Sequence, residues 1–490
     1  MGTQDVNGDT GSTGAGVQGL AVQDTRIGSA GGPPAGSITD VDRQFVFHPF
    51  TALKNHESSG GRVMVEGRGC RLTDSEGRSY LDAMAGLWCV NIGYSRPEMA
   101  EALAAQASKL PYYHAFASMG TEAPALLAER LVQMAPVPMS KVFFGNSGSD
   151  ANDTQVKLVW LYNNLLGRPA KKKIISRLRG YHGVTVMSAS LTGLASMHTA
   201  FDLPLPMVRH VRAPHRLWEA EAGMTDAEFS QSLADELEAL ILAEGPDTVA
   251  AFIAEPVQAA GGVIVPPEGY FAAIQEVLRR YDVLLIADEV VCGFGRLGVP
   301  FGTTALGMEP DLITVAKGIT SAYMPLSGCM VSEKVWRVLA DESAATGVVG
   351  HGYTYSAHPL AAAAALCNLD IIEKDGLVGQ AAERGAYLQR RLREEFADHP
   401  MVGEVRGQGL VAAVEMVQSK EPLRAFEPHH TVAVRVTRRC LDLGVITRAL
   451  PMADTIAFSP PFVVSEAELD EMIGGARRAV DDVAAELGLL

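Results

Sequence analysis

The sequence predicts an α/β fold built around a central, mostly parallel sheet, and three observations support this prediction. Short apolar strand patterns alternate with helical patterns between residues 97 and 356, which is typical of βαβ units. Several of these strand patterns end in polar or charged residues, as strands do at the ligand-binding edge of an open α/β sheet. The length of 490 residues also exceeds the usual range for one core, so a second unit is expected.

The elements follow in chain order. Strand patterns near 63–66 and 70–73 precede a hairpin turn at 74–77. In the central part, the predicted strands cover 141–144, 173–175, 249–254, 283–287 and 312–315, and helices are predicted over 229–242 and 269–280. An alanine-rich helix after 356, a strand near 402–410 and a final helix from about Ser465 complete the chain. The two chain ends therefore predict one α+β unit that flanks the central domain.

Composition narrows the class of protein and its compartment. The net charge is −16, from 41 basic and 57 acidic residues, so nucleic acid and anionic membranes are unfavourable partners. The six cysteines are scattered without CxxC pairs, which argues for a reducing, cytoplasmic compartment and against structural zinc. No apolar run approaches the ~18 residues that span a bilayer. Ten glycines among the first 36 residues predict a disordered tail over 1–43.

Lys317 and Asp288 each stand where an apolar strand pattern ends, and 29 residues separate them. A lysine and a carboxylate at the ends of buried strands are costly unless something there uses their charges. Pyridoxal phosphate needs both, because a lysine condenses with its aldehyde and a carboxylate contacts its ring nitrogen. The pair therefore indicates an enzyme that uses this cofactor.

Polar residues also follow other strand patterns. The turn at 146–150 opens a helix, where small residues leave amide groups free to bind a phosphate, although Ser149 or Asp150 could be a simple N-cap instead. Tyr181 could stack on a planar cofactor or merely pack beside a glycine turn. Glu255 ends the next strand pattern. Taken together, these residues predict one ligand-binding edge of the sheet.

Two patterns are rejected as functional sites. Residues 293–298 match GxGxxG, but Pro300 interrupts any following helix, and a lone match of this kind is weak. His351 and His358 lack metal-ligand spacing and have no neighbouring carboxylates. We therefore expect neither a dinucleotide site nor a metal site there.

The chain resembles class III aminotransferases, which are pyridoxal-phosphate enzymes of fold type I, and within them the omega-amino acid or amine:pyruvate transaminases. The resemblance runs from about His48 to the C-terminus. The matching stretches are 81–94 (LDAMAGLWCVNIGY), 146–149 (NSGS), 180–183 (GYHG), 255–256 (EP), 287–290 (ADEV), 316–318 (AKG) and 353–356 (YTYS). Many class members carry a glutamine where Val291 stands here, and the amine:pyruvate enzymes resemble this chain in lacking it.

This resemblance implies a seven-stranded large domain and a set of site residues. It implies domain bounds of 44–100 and 357–490 for the two parts of an α+β small domain, and of 101–356 for the large domain. Lys317 and Asp288 are implied as catalytic. The implied cofactor-binding residues are Ser147, Gly148, Ser149, Tyr181, His182, Glu255, Asp288, Val290, Lys317 and Thr354. The implied substrate-binding residues are Phe50, Trp88, Tyr181 and Arg448, and no metal is implied. Thr354 and Phe50 would act from the partner subunit, which requires a homodimer or larger.

The implied reaction moves an amino group from a primary amine or omega-amino acid to pyruvate, by a ping-pong mechanism through pyridoxamine phosphate. Three alternatives stay open: an aminomutase or racemase on the same fold, a transaminase with another keto acid such as 2-oxoglutarate, and a non-catalytic binding protein. From the residues alone, Arg448 could be a surface salt-bridge partner, although its fork suits a substrate carboxylate.

Overall fold

A computed structural model describes residues 36–344 and 347–490, and it divides the chain into two compact units, Met1–Val63 and Met64–Leu490. The strands are β1 Met64–Arg68, β2 Arg71–Asp74, β3 Ser79–Asp82, β4 Met139–Gly145, β5 Lys173–Arg177, β6 Val208–Val211, β7 Val249–Ala254, β8 Leu284–Asp288, β9 Leu312–Val315, β10 Ser327–Ser332, β11 Val402–Gln408, β12 Val411–Met416, β13 Ser419–Lys420, β14 Leu423–Arg424, β15 Val445–Ile446, β16 Arg448–Ala449 and β17 Asp454–Phe458.

The α-helices connect and flank these strands. They are α1 Ile38–Phe45, α2 Leu53–Ser59, α3 Ala85–Trp88, α4 Pro97–Lys109, α5 Glu122–Met134, α6 Gly148–Leu165, α7 Val186–Leu191, α8 Arg216–Glu219, α9 Asp226–Glu244, α10 Tyr270–Arg280, α11 Gly302–Ala305, α12 Glu333–Ser343, α13 Pro359–Lys374, α14 Leu377–Phe396, α15 Val432–Asp442 and α16 Glu466–Glu486. Among the described residues, no helix is long and apolar enough to span a membrane.

The first unit contains α1 and α2. Ser37 begins α1 with a capping box, in which its hydroxyl accepts from the Asp40 amide and the Asp40 carboxylate accepts from the Ser37 amide. Most of the predicted tail over 1–43 lies outside the described residues. Residues 38–43, however, are helical, so the tail prediction is wrong there, because the capping box gives this polar stretch a defined helix start.

The central sheet of the second unit has seven strands in the order β4-β10-β9-β8-β7-β5-β6. Strand β10 runs antiparallel to both neighbours, and the other pairs are parallel, which confirms the predicted α/β class. The five predicted strands are all present. Strands β6 and β10 were not predicted, because VRHV and SGCMVS lack a continuous run of large apolar residues.

Both faces of this sheet are covered. Every residue of β7 is buried, and successive side chains enter different cores: Phe252 and Ala254 pack in one, Ala251 and Ile253 in the other. This burial on both faces explains why β7, β8 and β9 are near-continuous apolar runs. The polar groups of these strands can be used only where the strands end.

The chain ends meet in smaller sheets. Strand β3 pairs in parallel with β15, so a strand near the start of the second unit lies beside one near the C-terminus. Strands β11, β12, β17 and β16 form another sheet, and α16 begins after its N-cap Ser465, as expected. The domain boundaries derived from the sequence stay a prediction.

Candidate active site

Strand order brings the predicted polar residues to one edge of the central sheet. Asp288 is the last residue of β8, and Lys317 follows β9, whose Thr314 lies directly opposite Asp288. Glu255 follows β7, and Tyr181 comes shortly after β5. Because β7, β8, β9 and β5 run parallel, their carboxyl ends share this edge.

Asp288 is only 3% exposed, and three hydrogen bonds satisfy its carboxylate. Asn152 Nδ2 donates to Oδ2 at 2.9 Å, His182 Nδ1 contacts the same oxygen at 2.8 Å, and the Val290 amide donates to Oδ1 at 3.1 Å. A buried carboxylate requires such partners, and donors of this kind stabilise its charged form. The protein therefore holds an oriented carboxylate inside the site.

Asn152 is a site residue that the sequence analysis missed. Its Nδ2 also donates to the His182 carbonyl at 2.7 Å, and its Oδ1 accepts from Thr314 Oγ1 at 2.8 Å. The asparagine thus connects α6, β8 and β9, and it orients the side chains of Asp288 and Thr314. One sequence signal for Asn152 was available, because it lies one helical turn beyond the start of α6, where the predicted phosphate-binding turn at 146–150 begins the helix, and α6 has a buried face.

Lys317 is partly buried and has a strained backbone, with φ of +48°. Burial lowers the pKa of its ammonium, and Cys89, Asp288 and Glu255 oppose that effect. In the described part of the chain, no hydrogen bond or ion pair engages its Nζ. A desolvated lysine without a fixed partner is a suitable nucleophile for an aldehyde.

The helix α6 starts immediately after the predicted phosphate turn. Ser147, rather than Ser149 or Asp150, is the N-cap, and its Oγ accepts from the Asp150 amide at 3.2 Å. Capping and anion binding are compatible, because the first amide groups of a helix have no acceptor within the helix. Ser149 Oγ accepts from the Val184 amide at 3.0 Å, which fixes the side of the turn that faces the loop after β5.

Gly148 and Val290 lie close to each other. A Cβ at Gly148 would come within 3.1 Å of Val290 Cγ2, so the absence of a side chain lets the phosphate turn approach the end of β8. Val290 itself donates its amide to Asp288. Val290 therefore connects the phosphate turn to the Asp288 carboxylate.

Glu255 and His182 complete the polar edge. The Glu255 carboxylate accepts from the amides of Tyr181 and Ala259, each at 3.0 Å, and burial raises its pKa. His182 Nε2 is buried without a hydrogen-bond partner among the described residues. These contacts fix the backbone beside Tyr181 and leave one ring nitrogen of His182 free.

The predicted substrate residues are placed differently from one another. Trp88 is buried at the end of α3 with φ of +67°. Arg448, on β16, is half-buried, and no hydrogen bond or ion pair in the described residues engages its guanidinium. Burial lowers the pKa of Arg448, an effect that Tyr181 opposes, so these two residues are electrostatic neighbours.

Two further predicted residues lie at exposed positions. Thr354 lies in an exposed turn, where its carbonyl accepts from Tyr112 Oη. Phe50 belongs to the first unit and is 70% exposed. Their roles in a site shared between subunits stay predictions.

The GxGxxG pattern forms no phosphate-binding helix start, because residues 293–298 adopt turns. Its Arg296 is fully buried and donates to Asn91 Oδ1 at 2.7 Å and to the Pro460 carbonyl at 2.6 Å. Burial lowers the pKa of Arg296 to about 9. This motif therefore joins the central part of the chain to its C-terminal part.

The residues of this edge fit pyridoxal phosphate. The fit rests on a desolvated lysine, an oriented buried carboxylate, an unpartnered buried imidazole nitrogen and a helix start with free amide groups. Each of these features suits one part of the cofactor: the aldehyde, the ring nitrogen, the ring substituents and the phosphate.

Comparisons with known proteins agree with this geometry. The family described as aminotransferase class-III matches residues 53–480. The diaminobutyrate–2-oxoglutarate transaminase of Halomonas elongata is 51% identical over 455 residues, covering 92% of this chain and 97% of that protein. The vanillin aminotransferase of Capsicum chinense is 45% identical over 451 residues, covering 91% and 97%. The solved structure of the omega transaminase from Pseudomonas jessenii in complex with PMP has a TM-score of 0.91 and 47% identity, covering 93% and 100%.

Proposed function

This chain belongs to the class III aminotransferases and is a transaminase that uses pyridoxal phosphate, and from this premise we propose that it transfers the amino group of a primary amine or omega-amino acid to pyruvate. The products are an aldehyde or ketone and alanine. The observation that carries the proposal is the half-buried guanidinium of Arg448 near Tyr181, which has no hydrogen bond or ion pair within the part of the chain that the structure describes. An arginine without a carboxylate partner among the described residues is available for the carboxylate of a keto acid.

The cofactor, when bound, supplies an aldehyde that condenses with amines and a ring that withdraws electrons from the substrate carbon. The remaining roles fall to side chains. Lys317 Nζ would take a proton from the amine-bearing carbon and deliver it to the carbon of the cofactor's aldehyde group, and its lowered pKa favours the neutral amine needed for that step. Asp288 holds a proton at the ring nitrogen, and Asn152 and His182 keep its carboxylate oriented.

Binding is divided among other residues. The start of α6, at Ser147, Gly148 and Ser149, holds the phosphate. Tyr181 and Val290 would hold the ring between them, and Glu255 fixes the backbone of Tyr181. Thr354 of the partner subunit completes the phosphate site. These assignments follow the resemblance, and the placement of their elements at one sheet edge supports them.

The donor pocket is aromatic. Trp88, Tyr181 and Phe50 of the partner subunit suit amines with an apolar or aromatic group. The 45% identity to a protein named vanillin aminotransferase supports this donor class. When the donor carries a carboxylate at its far end, Arg448 binds it, so one arginine serves both half-reactions.

A homodimer or larger assembly is part of the proposal. The segment around Thr354 exposes apolar side chains, with Val348 at 96% and Tyr355 at 59% exposure. Exposed apolar groups of this kind are typical of surfaces that a partner covers. All six cysteines are free thiols, which supports a reducing, cytoplasmic compartment.

The second candidate acceptor is 2-oxoglutarate, which the name of the Halomonas elongata relative favours. It carries a second carboxylate and so requires a second cation, whereas pyruvate requires one. A panel of arylalkyl amines, diamines and omega-amino acids, each tested with both keto acids, separates the two. Alanine formation at a higher kcat/KM than glutamate formation supports pyruvate. Glutamate formation with every donor and no alanine would overturn the acceptor assignment.

A further inference from the structure

Residues 351–356, here called the docking segment, lie against α6, the helix that starts at the phosphate turn. Tyr353 Oη donates to the Asp150 carbonyl at 3.0 Å and lies 3.1 Å from Thr154 Oγ1. The amides of Tyr353 and Ser356 close a turn around Thr354, with bonds of 3.1 Å to Ser356 Oγ and 2.9 Å to the Tyr353 carbonyl. The proposed phosphate ligand Thr354 is therefore held by a segment whose support is α6.

His351 makes a second attachment, through both ring nitrogens. Nε2 lies 2.9 Å from Thr154 Oγ1, and Nδ1 lies 2.9 Å from Lys157 Nζ. An ammonium can only donate, so Nδ1 must accept, and the ring proton is on Nε2. The hydroxyl of Thr154 accepts that proton while it donates to the Asp150 carbonyl at 2.8 Å. This network is complete only when the imidazole is neutral.

The docking surface is one face of α6. Asp150, Thr154 and Lys157 are spaced by four and three residues, so they lie in a row along the helix. The ring of His351 also stacks on Phe143 of β4, with centroids 5.1 Å apart and planes at 18°. Two hydrogen bonds and a stacked ring thus hold His351 between the helix and the sheet.

We propose that neutral His351 is a positioning residue of the phosphate site: it docks the segment that carries Thr354 onto α6, and protonation of its imidazole releases that segment. The proposal rests on the assignment of Thr354 and the α6 start to the cofactor phosphate. It gives the enzyme a pH-dependent hold on its cofactor, independent of the amine it accepts.

The charges around the ring set the direction of this pH dependence. The charged groups that face His351 are Lys157 and Asp150, both on α6, while β4 presents Phe143 and the segment itself presents Tyr353. Burial, and then Lys157, lower the pKa of His351, and Asp150 opposes them. Protonation would place an N–H at Nδ1 against the Lys157 ammonium, so the docked form disfavours it.

The sign of the effect follows from linkage. The docked pKa lies below the ordinary value for a free histidine, about 6.5. The docking of the segment therefore contributes its full free energy to cofactor binding above about pH 6.5. This contribution is lost as the pH falls through the lowered pKa of docked His351. Cofactor affinity should be flat in the neutral range and fall on the acid side.

The test measures cofactor release without substrate. Purified holoenzyme is diluted between pH 5 and 8, and the released pyridoxal phosphate gives a dissociation constant for wild type, His351→Gln and Lys157→Met. Glutamine keeps a donor and an acceptor but does not titrate in this range, so we expect near wild-type affinity at pH 8 and a shallower acid-side loss. Lys157→Met removes the opposing charge and brings the docked pKa of His351 closer to the free value, so its acid-side loss should be smaller than that of wild type.

Two further variants separate docking from folding. His351→Phe keeps a ring for Phe143 but loses two hydrogen bonds, and we expect about tenfold weaker binding at pH 8. His429→Gln, in an exposed turn, is the matched control and should follow wild type. The phosphate of the cofactor and Lys317 also titrate, but they do so equally in every variant.

The outcomes separate this proposal from the proposed function. Superimposable pH profiles for wild type and His351→Gln would overturn the proposed positioning role of His351, whatever group the enzyme transfers. Suppose instead that the wild type binds the cofactor and shows the expected pH profiles of cofactor release, but moves no amino group to a keto acid. That result would overturn the proposed function and leave the positioning role of His351 intact.

Discussion

Asn152 Nδ2 lies 2.9 Å from Asp288 Oδ2, and both side chains are almost completely buried. The asparagine is itself held by Thr314 Oγ1, on the strand that leads to Lys317. The carboxylate and the lysine strand thus share one amide as a common support. A substitution that removes this amide should therefore alter the orientation of Asp288 and the strand that leads to Lys317.

Asn152→Ala should lower kcat while the protein still binds its cofactor. The substitution removes one of three donors to Asp288 and leaves Thr314 Oγ1 without its acceptor. We expect a loss of about 10- to 100-fold in kcat, the range seen when a residue that orients a reactive group is removed. Steady-state kinetics at saturating cofactor measure it. Asn164→Ala, near the exposed end of the same helix, is the control, and an equal loss there would refute a specific role.

Arg448→Gln should selectively weaken the binding of the keto acid. The guanidinium has no partner among the described residues, so its loss should not unfold the protein. We expect KM for pyruvate to rise about 30- to 100-fold, from the loss of a charged hydrogen bond. The half-reaction rate with an amine that has no carboxylate should change little. Equal losses with pyruvate and with such an amine would show that Arg448 supports structure instead.

Gly183→Ala should weaken cofactor binding through Ser149. Gly183 has φ of +131°, and an added Cβ would meet Ser149 Oγ and Ser188 Oγ at 2.5 Å. We expect at least about a tenfold rise in the dissociation constant of pyridoxal phosphate, from strain and a displaced turn. Gly223→Ala is the matched control, because its φ of +86° carries strain but an added Cβ would meet nothing within 4 Å. If both variants bind the cofactor equally, the contact with Ser149 is unimportant.

Glu289 makes stability depend on pH. It is fully buried, its carboxylate accepts from the Gly302 and Thr303 amides at 3.0 and 2.5 Å, and burial raises its pKa to about 7. Because the pKa is raised in the folded protein, the contribution of Glu289 to the free energy of unfolding is complete below its pKa in the unfolded chain, about 4.3. This contribution is lost as the pH rises through 7.

Between pH 5 and 8, wild type should therefore lose about 2–3 kcal/mol of unfolding free energy relative to Glu289→Gln. Urea unfolding of both proteins at the two pH values measures this. The comparison cancels all other titrating groups. A difference between the two proteins that stays the same at pH 5 and pH 8 would contradict the assignment.

Sequence patterns predicted the central part of the site because the strands there are buried on both faces. Continuous apolar runs marked β7, β8 and β9, so the residues at their ends, Glu255, Asp288 and Lys317, could be assigned to one edge. The roles of Lys317 and Asp288 followed from the chemistry of the strand-end pair, whereas the role of Glu255 came from the resemblance. The edge strand β6 and the small-residue strand β10 carry no such pattern, and both were missed.

Residues that act through long-range contacts were not predictable in this way. Asn152 lies one turn after the start of α6, but its contact with Asp288, 136 residues away, cannot be read from that position. Spacing set His351 aside as a metal-ligand candidate and gave no sign of its contact with Lys157, 194 residues away. Short-range patterns do not contain such pairings.

The most direct test of the central claim is the amine half-reaction without a keto acid. Wild-type holoenzyme mixed with a primary amine donor should release one equivalent of aldehyde or ketone per subunit and then stop, and it should resume only when pyruvate is added, with alanine as the product. Lys317→Ala should release none. Continued formation of an isomer of the amine without any keto acid, or an active Lys317→Ala variant, would contradict the account.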